Sequence, residues 1–410
     1  MNPSNPAPNI STPLTLSNGA VLKNRLYKAA MDEQLAPNNT PSQVLVHLYD
    51  TWAKGGAAVL VTGHVMIDRR FSANFDTTAV DDERDLPILQ AWAQAGTQNG
   101  TKLLMQLNHP GKQIPKNVNK QPVAPSAVPL SKELSALFNP PRVLSEDEIF
   151  DIIRRFRQSA KIAEKAGFSG VQIHAAHGYL LSQFLSPHHN RRTDNWGGSL
   201  ENRMRILVEI YHEIRRQTSD GFIVALKLNS ADFQKGGFGE DESVQVLAKM
   251  AALGVDLLEI SGGNYESPAM MEGVKDSTKK REAYFLDYAD KARAVIGDVP
   301  LVITGGFRSM AAMNDALADG STDMIGMAKP YAVMPDVADK LTSGSLTHIA
   351  TPPVRTGIKA IDKRLGGLLE IYWYTKQLHL LGQGKPANPN YSAYKTLWTI
   401  VKDGVRRERG

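Results

Sequence analysis

A closed (β/α)8 barrel, the TIM-barrel class of α/β fold, is what this sequence predicts, and three observations carry the prediction. Short runs rich in Val, Ile and Leu alternate with stretches of helical period, the pattern of a parallel sheet covered by helices. Eight such pairs follow one another, which favours a closed barrel over an open doubly wound sheet. The length of 410 residues, with 42% hydrophobic and 22% charged residues, provides for one enlarged barrel around a sizeable core.

The strands are expected at residues 25–31, 57–63, 102–107, 170–174, 222–228, 256–261, 300–304 and 323–327. The helices that follow them are expected at 42–54, 87–98, 145–166, 199–217, 241–253, 284–295, 309–317 and 333–341. Ser145 with Glu148 reads as a capping box and Ser199 with Asn202 as a weaker form of it. Gly167, Gly254 and Gly320 stand where helix ends want a residue that tolerates positive φ. Two segments exceed a minimal barrel. Residues 108–144, with Pro110, Pro115, Pro122, Pro125, Pro129, Pro140 and Pro141, form a long connection expected to act as a lid or pocket wall. Residues 344–410 are expected as a C-terminal extension, helical over 358–381, packed on the barrel or on a partner subunit. The domain reading is therefore 1–343 for the barrel and 344–410 for the extension.

The chain has no cysteine, which removes disulfides, cysteine zinc sites, thiolate nucleophiles and iron–sulfur clusters, so redox chemistry needs a bound cofactor. The first dozen residues lack the apolar core of a signal peptide, and no apolar run reaches the ~18 residues of a membrane span, so a soluble, cytoplasmic protein with no membrane partner is expected. A net charge of +5 makes no case for nucleic acid.

Catalytic residues of such barrels stand just after the strands. The fourth run ends in His174-Ala175-Ala176-His177-Gly178-Tyr179, where two imidazoles can converge on one oxygen and a phenol can act as general acid. A zinc site using His174, His177, His188 and His189 is the competing reading, weakened by the want of further ligands at other strand ends. The seventh strand runs into Gly305-Gly306 and the eighth into Ala328-Lys329, the place where barrels often bind phosphate. No dinucleotide fingerprint and no Walker loop is present. Gln106 and Lys227 are polar residues inside apolar strand runs, so a side chain facing the interior must be paired or serve a ligand.

These residues resemble the old yellow enzymes, the NADH:flavin oxidoreductase or ene-reductase family. The stretch from His174 to Pro187, then Asn190-Arg191-Arg192-Thr193-Asp194 and Trp196-Gly197-Gly198-Ser199, is similar to the family signature, as are Ala29-Ala30-Met31 and Gln106-Leu107-Asn108-His109-Pro110-Gly111. The resemblance implies an FMN enzyme that takes hydride from NADH or NADPH and reduces activated C=C bonds of α,β-unsaturated carbonyl or nitro compounds. It places Ala29, Ala30, Met31, Gly63, Gln106 and Lys227 around the flavin ring and Gly305, Gly306, Ala328 and Lys329 at the phosphate. His174 and His177 then grip the substrate carbonyl oxygen and Tyr179 donates the proton. No metal is implied, and a homodimer is one possible assembly. The chain departs from the family pattern in carrying Lys227 and Lys329 where many relatives have arginine, and Asp32 where Thr or Cys is common. The family's larger members, with an iron–sulfur cluster and a second flavin domain, are excluded on the missing cysteines.

Overall fold

The structure is a computed structural model that describes residues 7–262, 266 and 286–408. Eight parallel strands close the barrel: β1 Leu26–Lys28, β2 Val59–Val61, β3 Lys102–Asn108, β4 Gly170–Ala175, β5 Ile223–Asn229, β6 Leu257–Ser261, β7 Leu301–Thr304 and β8 Met324–Met327. Each pairs with its sequence neighbours, and β8 returns to β1, with Gly326 opposite Tyr27. Every expected strand is present; β1, β2, β6, β7 and β8 are shorter than expected, β3 and β4 run one residue further, and β5 is shifted by one.

Period-2 alternation divides the side chains into two cores. Leu103, Met105, Val171, Ile173, Val224, Leu226, Leu258, Ile260, Leu301 and Ile303 point outward into the layer beneath the helices. Val59, Val61, Leu104, Ile223, Ala225, Leu257, Val302 and Met324 fill the lower interior, where Leu16 and Leu22 of an N-terminal hairpin close the base. That hairpin, Leu14–Thr15 with Val21–Leu22, was not legible in the sequence pattern because each strand is only 2 residues long. Above the apolar floor the same inward face turns polar. Gln106 lies opposite Gln172, His174 opposite Lys227, and Lys227 opposite Glu259.

The outer helices are α1 Gln43–Lys54, α2 Leu86–Gly96, α3 Glu146–Ala166, α4 Leu180–Leu185, α5 Leu200–Arg215, α6 Glu240–Ala252, α7 Leu286–Ile296, α8 Met310–Ala318, α9 Lys329–Val333 and α10 Val337–Thr342. The capping box at Ser145 is complete: its hydroxyl accepts from the Glu148 N–H at 3.2 Å, and the Glu148 carboxylate accepts from the Ser145 N–H at 2.9 Å. Gly167 ends α3 at φ +94°, a conformation that side chains with a Cβ rarely adopt. Tyr284, in the expected seventh helix, lies outside the described residues.

The single helix expected at 333–341 is instead two, α9 and α10. Pro335 drives the residue before it out of the helical region, and Met334 sits at φ −141°, ψ 83°. The short α4 was also not anticipated. In the segment 108–144, Val123–Ala124 pairs in parallel with Arg142–Val143, so the long connection carries its own small ladder.

Past the barrel come α11 Lys359–Gly382 and α12 Ala393–Glu408. Leu369, Trp373, Leu378 and Leu381 of α11 are buried. A Cβ on Gly382 would come within 2.8 Å of Val44, so α11 lies in close contact with α1. The His379 Nε2 bonds to the Glu33 carbonyl at 3.0 Å, tying the extension to the loop after β1.

Candidate active site

The carboxyl ends of the strands gather the chemistry-bearing side chains. β4 ends at Ala175, and the Ala176 N–H turns back to His174 Nδ1 at 3.3 Å. His177 follows at φ +60°, a left-handed conformation that costs a residue with a Cβ and needs outside support. Support comes from the neighbouring strand: Asn229, at the end of β5, accepts the His177 N–H at 3.1 Å, while Gln113 donates to the His177 carbonyl at 3.0 Å. The His177 Nε2 lies 2.8 Å from the Ser261 hydroxyl at the end of β6.

The two imidazoles stand edge to face with centroids 5.2 Å apart, and Tyr179 packs against His174 at 5.1 Å. Burial pushes both histidines well below their ordinary range, helped at His174 by the nearby His177 and Lys227 charges and at His177 by Lys227. Both are therefore neutral at physiological pH. A further imidazole completes the row: His64, after β2, packs on the other side of Tyr179 at 5.3 Å, with its Nε2 3.8 Å from Asp32. The Asp32 carboxyl, which burial would raise, is held below its usual range by His64 and by hydrogen bonds from Gln34 and Asn74.

Beneath this row lies a connected polar layer. Gln106 donates to Gln172 at 2.7 Å, and Gln172 donates to Tyr27 and to Glu259, each at 2.8 Å. Glu259 also accepts from Thr304 at 2.7 Å and pairs with Lys227 at 2.9 Å. Burial would raise the Glu259 carboxyl, but Lys227 and these hydrogen bonds hold it below its usual range. Lys227 thus faces the interior and is joined to Glu259 rather than to either histidine.

Ala29, Ala30 and Met31 follow β1, with the Ala29 N–H bonded to the Met327 carbonyl at 2.8 Å. Gly63 donates to Glu33 at 2.8 Å, and a Cβ there would lie 2.0 Å from the Glu33 carboxylate. Gly305 and Gly306 both sit at positive φ, +97° and +92°, and nothing lies within 4 Å of where a Gly305 Cβ would be. Lys329 opens α9, with Ala328 preceding it, and its ammonium is 2.7 Å from Glu370 of α11. Among the described residues no cluster of three or more His, Asp or Glu is placed to hold a metal ion. His188 and His189 pair with each other, and His189 meets the buried Lys112 at 2.9 Å.

The donor set suits a flavin mononucleotide. An amide and an ammonium, Gln106 and Lys227, face the interior, the side-chain-free Gly305-Gly306 turn stands at the end of β7, and neutral imidazoles line the mouth. The model of the NADH:flavin oxidoreductase / NADH oxidase family matches residues 9–347. The chain belongs to that family. An NADH-dependent flavin oxidoreductase of Hypocrea jecorina (strain QM6a) is 38% identical over 348 residues, 79% of this chain and 86% of that protein. A protein of the same description from Neonectria sp. (strain DH2) is 40% identical over 349 residues, but the matched region spans only 45% of its length. Among solved structures, a 2-naphthoyl-CoA reductase superposes with a TM-score of 0.75 at 28% identity, covering 82% of this chain and 52% of that one. The old yellow enzyme homologue of Zymomonas mobilis superposes with a TM-score of 0.70 at 23% identity over 83% of this chain and 94% of that one, a likeness of fold. Family membership makes the protein a flavin oxidoreductase of the old yellow enzyme type.

His64, Gln172, Asn229, Glu259 and Ser261 were missed in the sequence. For Gln172 and Glu259 the signal was available, since each is a polar residue inside an apolar strand run, as Gln106 and Lys227 are.

Proposed function

We propose that the protein reduces the activated C=C bond of α,β-unsaturated carbonyl or nitro compounds, with FMN as bound cofactor and NADH or NADPH as reductant. The barrel, residues 1–343, is the catalytic unit in this reading and residues 344–410 its packed extension. The chemistry FMN supplies when bound is hydride relay from a nicotinamide to the alkene. Ala29, Ala30, Met31, Gly63, Gln106 and Lys227 are assigned to its ring, and Gly305, Gly306, Ala328 and Lys329 to its phosphate.

The neutral pair His174 and His177, with Tyr179 packed on His174, carries the reading. His174 Nδ1 accepts from a backbone N–H, so its own proton resides on Nε2, which is thereby a donor. Aimed at a carbonyl or nitro oxygen, that N–H and its counterpart on His177 stabilise the negative charge that develops there as the β carbon is reduced. Neutrality matters because a neutral donor need not shed a proton or a counterion when the substrate enters. Tyr179 then delivers a proton to the α carbon, completing addition of two hydrogens across the bond.

The test is His174→Ala in the FMN-loaded enzyme, with the two half-reactions followed separately. Losing one oxyanion donor lowers the rate of the enone-reducing half-reaction by ~10²–10³ and raises the enone KM, while nicotinamide oxidation persists. An unaltered oxidative half-reaction would overturn the assignment.

A further inference from the structure

The chain leaves β1 through Met31-Asp32-Glu33-Gln34, and Gln34 sits at φ +52°, a left-handed conformation that costs a residue with a Cβ and persists only where its surroundings impose it. Two holds fix this turn. One comes from the barrel: the buried Glu33 carboxylate accepts from the Gly63 N–H at 2.8 Å and from the Tyr49 hydroxyl of α1. The other comes from α11, where His379 Nε2 meets the Glu33 carbonyl at 3.0 Å from a position 346 residues further along the chain. A carbonyl can only accept, so Nε2 carries the proton and His379 is the donor. The end of α11 also closes on the turn, since a Cβ on Gly382 would stand 3.5 Å from Leu35. On the other flank of Glu33, the Asp32 carboxylate accepts from Gln34 at 3.3 Å and from Asn74 at 2.7 Å. One turn therefore touches the ends of β1 and β2, the loop carrying Asn74 and the C-terminal extension.

We propose that His379 is a positioning residue for the flavin site: its hydrogen bond to Glu33 holds the left-handed turn, which fixes Met31 along the chain and Gly63 through the Glu33 carboxylate. This rests on the assignment of Met31 and Gly63 to the flavin ring. It makes α11 a part of the cofactor site, beyond its role as a cover over α1. Coupling of this kind is reciprocal, so a flavin that gains from a docked α11 also secures that helix in place.

The experiment compares amide hydrogen exchange of the wild-type chain with and without FMN, and measures FMN affinity by fluorescence titration in wild type, His379→Leu and His379→Gln. Loading FMN is expected to slow exchange in the last turns of α11 as well as in the turn after β1. His379→Leu keeps an apolar body on the helix but leaves the Glu33 carbonyl without its donor, so the FMN dissociation constant should rise about tenfold. Glutamine carries an amide nitrogen at a reach close to that of imidazole Nε2, so His379→Gln should recover most of that loss. A residue that served packing alone would not be rescued by glutamine. FMN uptake by wild type with no change of exchange in α11 overturns the positioning role and leaves the flavoenzyme reading standing. A folded leucine variant with wild-type FMN affinity, or a glutamine variant as weak as leucine, overturns it too. Should the leucine variant not fold, the wild-type exchange comparison decides alone. A wild type that takes up no FMN overturns both.

Discussion

Tyr179 is 6% exposed and lies between two imidazoles, a placement that gives its phenol a defined task and a defined test. Tyr179→Phe keeps the ring packing and removes the proton. Stopped-flow traces should show flavin reduction by NADH at the wild-type rate and enone reduction slowed by ~10²–10⁴, the span of general acid catalysis. Equal slowing of both phases would assign the residue to architecture instead. Below it, the Lys227–Glu259 pair is buried among Gln172, Tyr27 and Thr304. Glu259→Ala leaves an unpaired ammonium in the interior, so urea unfolding should reveal a loss of about 3–5 kcal/mol. Two residues of this layer were legible in advance, because Gln106 and Lys227 interrupt apolar runs. Gln172 and Glu259 obey the same rule, but their importance lies in hydrogen bonds to other strands, which spacing along one strand does not reveal. The left-handed His177 was out of reach for a different reason: its support, Asn229, lies 52 residues on.

Among the elements, long apolar stretches were readable and short or mixed ones were not. α11 was placed within a residue at each end from its apolar, aromatic character, and Leu369, Trp373, Leu378 and Leu381 are the side chains it buries. α12 was missed. Its large apolar side chains Tyr394, Trp398 and Val401 face solvent, while Leu397 and Ile400 are half-buried and Thr396 is buried. The break between α9 and α10 was written in Pro335 and was overridden by the apolar residues on either side. The contact between α9 and α11 has a consequence for the cofactor. Lys329, assigned to the phosphate, spends its charge on Glu370 at 2.7 Å, and both side chains are partly exposed. Glu370→Gln releases the ammonium. Since exposed pairs of this kind are worth about 0.2–1 kcal/mol, FMN should bind up to about fivefold more tightly, and less so at high salt. Fluorescence titration of apoprotein with FMN measures it, and weaker binding would remove Lys329 from the phosphate site.

Across the whole molecule, the burial that keeps imidazoles neutral for catalysis sets its response to acid. His174 and His177 titrate well below their ordinary range, burial lowers His109 to about 4, and burial together with the Lys112 and His188 charges lowers His189 to about 2. In the unfolded chain each would take a proton near pH 6.5. Above that value neither state holds the proton, and the full stability is present. As the pH falls below it, the unfolded state gains protons the native state refuses, so stability declines by about 1.4 kcal/mol per pH unit for each such histidine until its own folded value is reached. His109 and His189 alone should therefore give a slope of about 3 kcal/mol per unit between pH 6 and pH 5, and His174 and His177, also lowered by burial, add to it in the same direction, a steep loss for a barrel whose net stability is of order 10 kcal/mol. Urea midpoints at pH 7, 6 and 5 measure it. His109→Phe, which substitutes an aromatic ring beside Phe71 at a position outside the imidazole row, should flatten the slope by about one histidine's share. Stability that stays level from pH 7 to pH 5 would mean that the native state accepts these protons, and the paired imidazoles would then be charged at the very pH where they are required to be neutral donors.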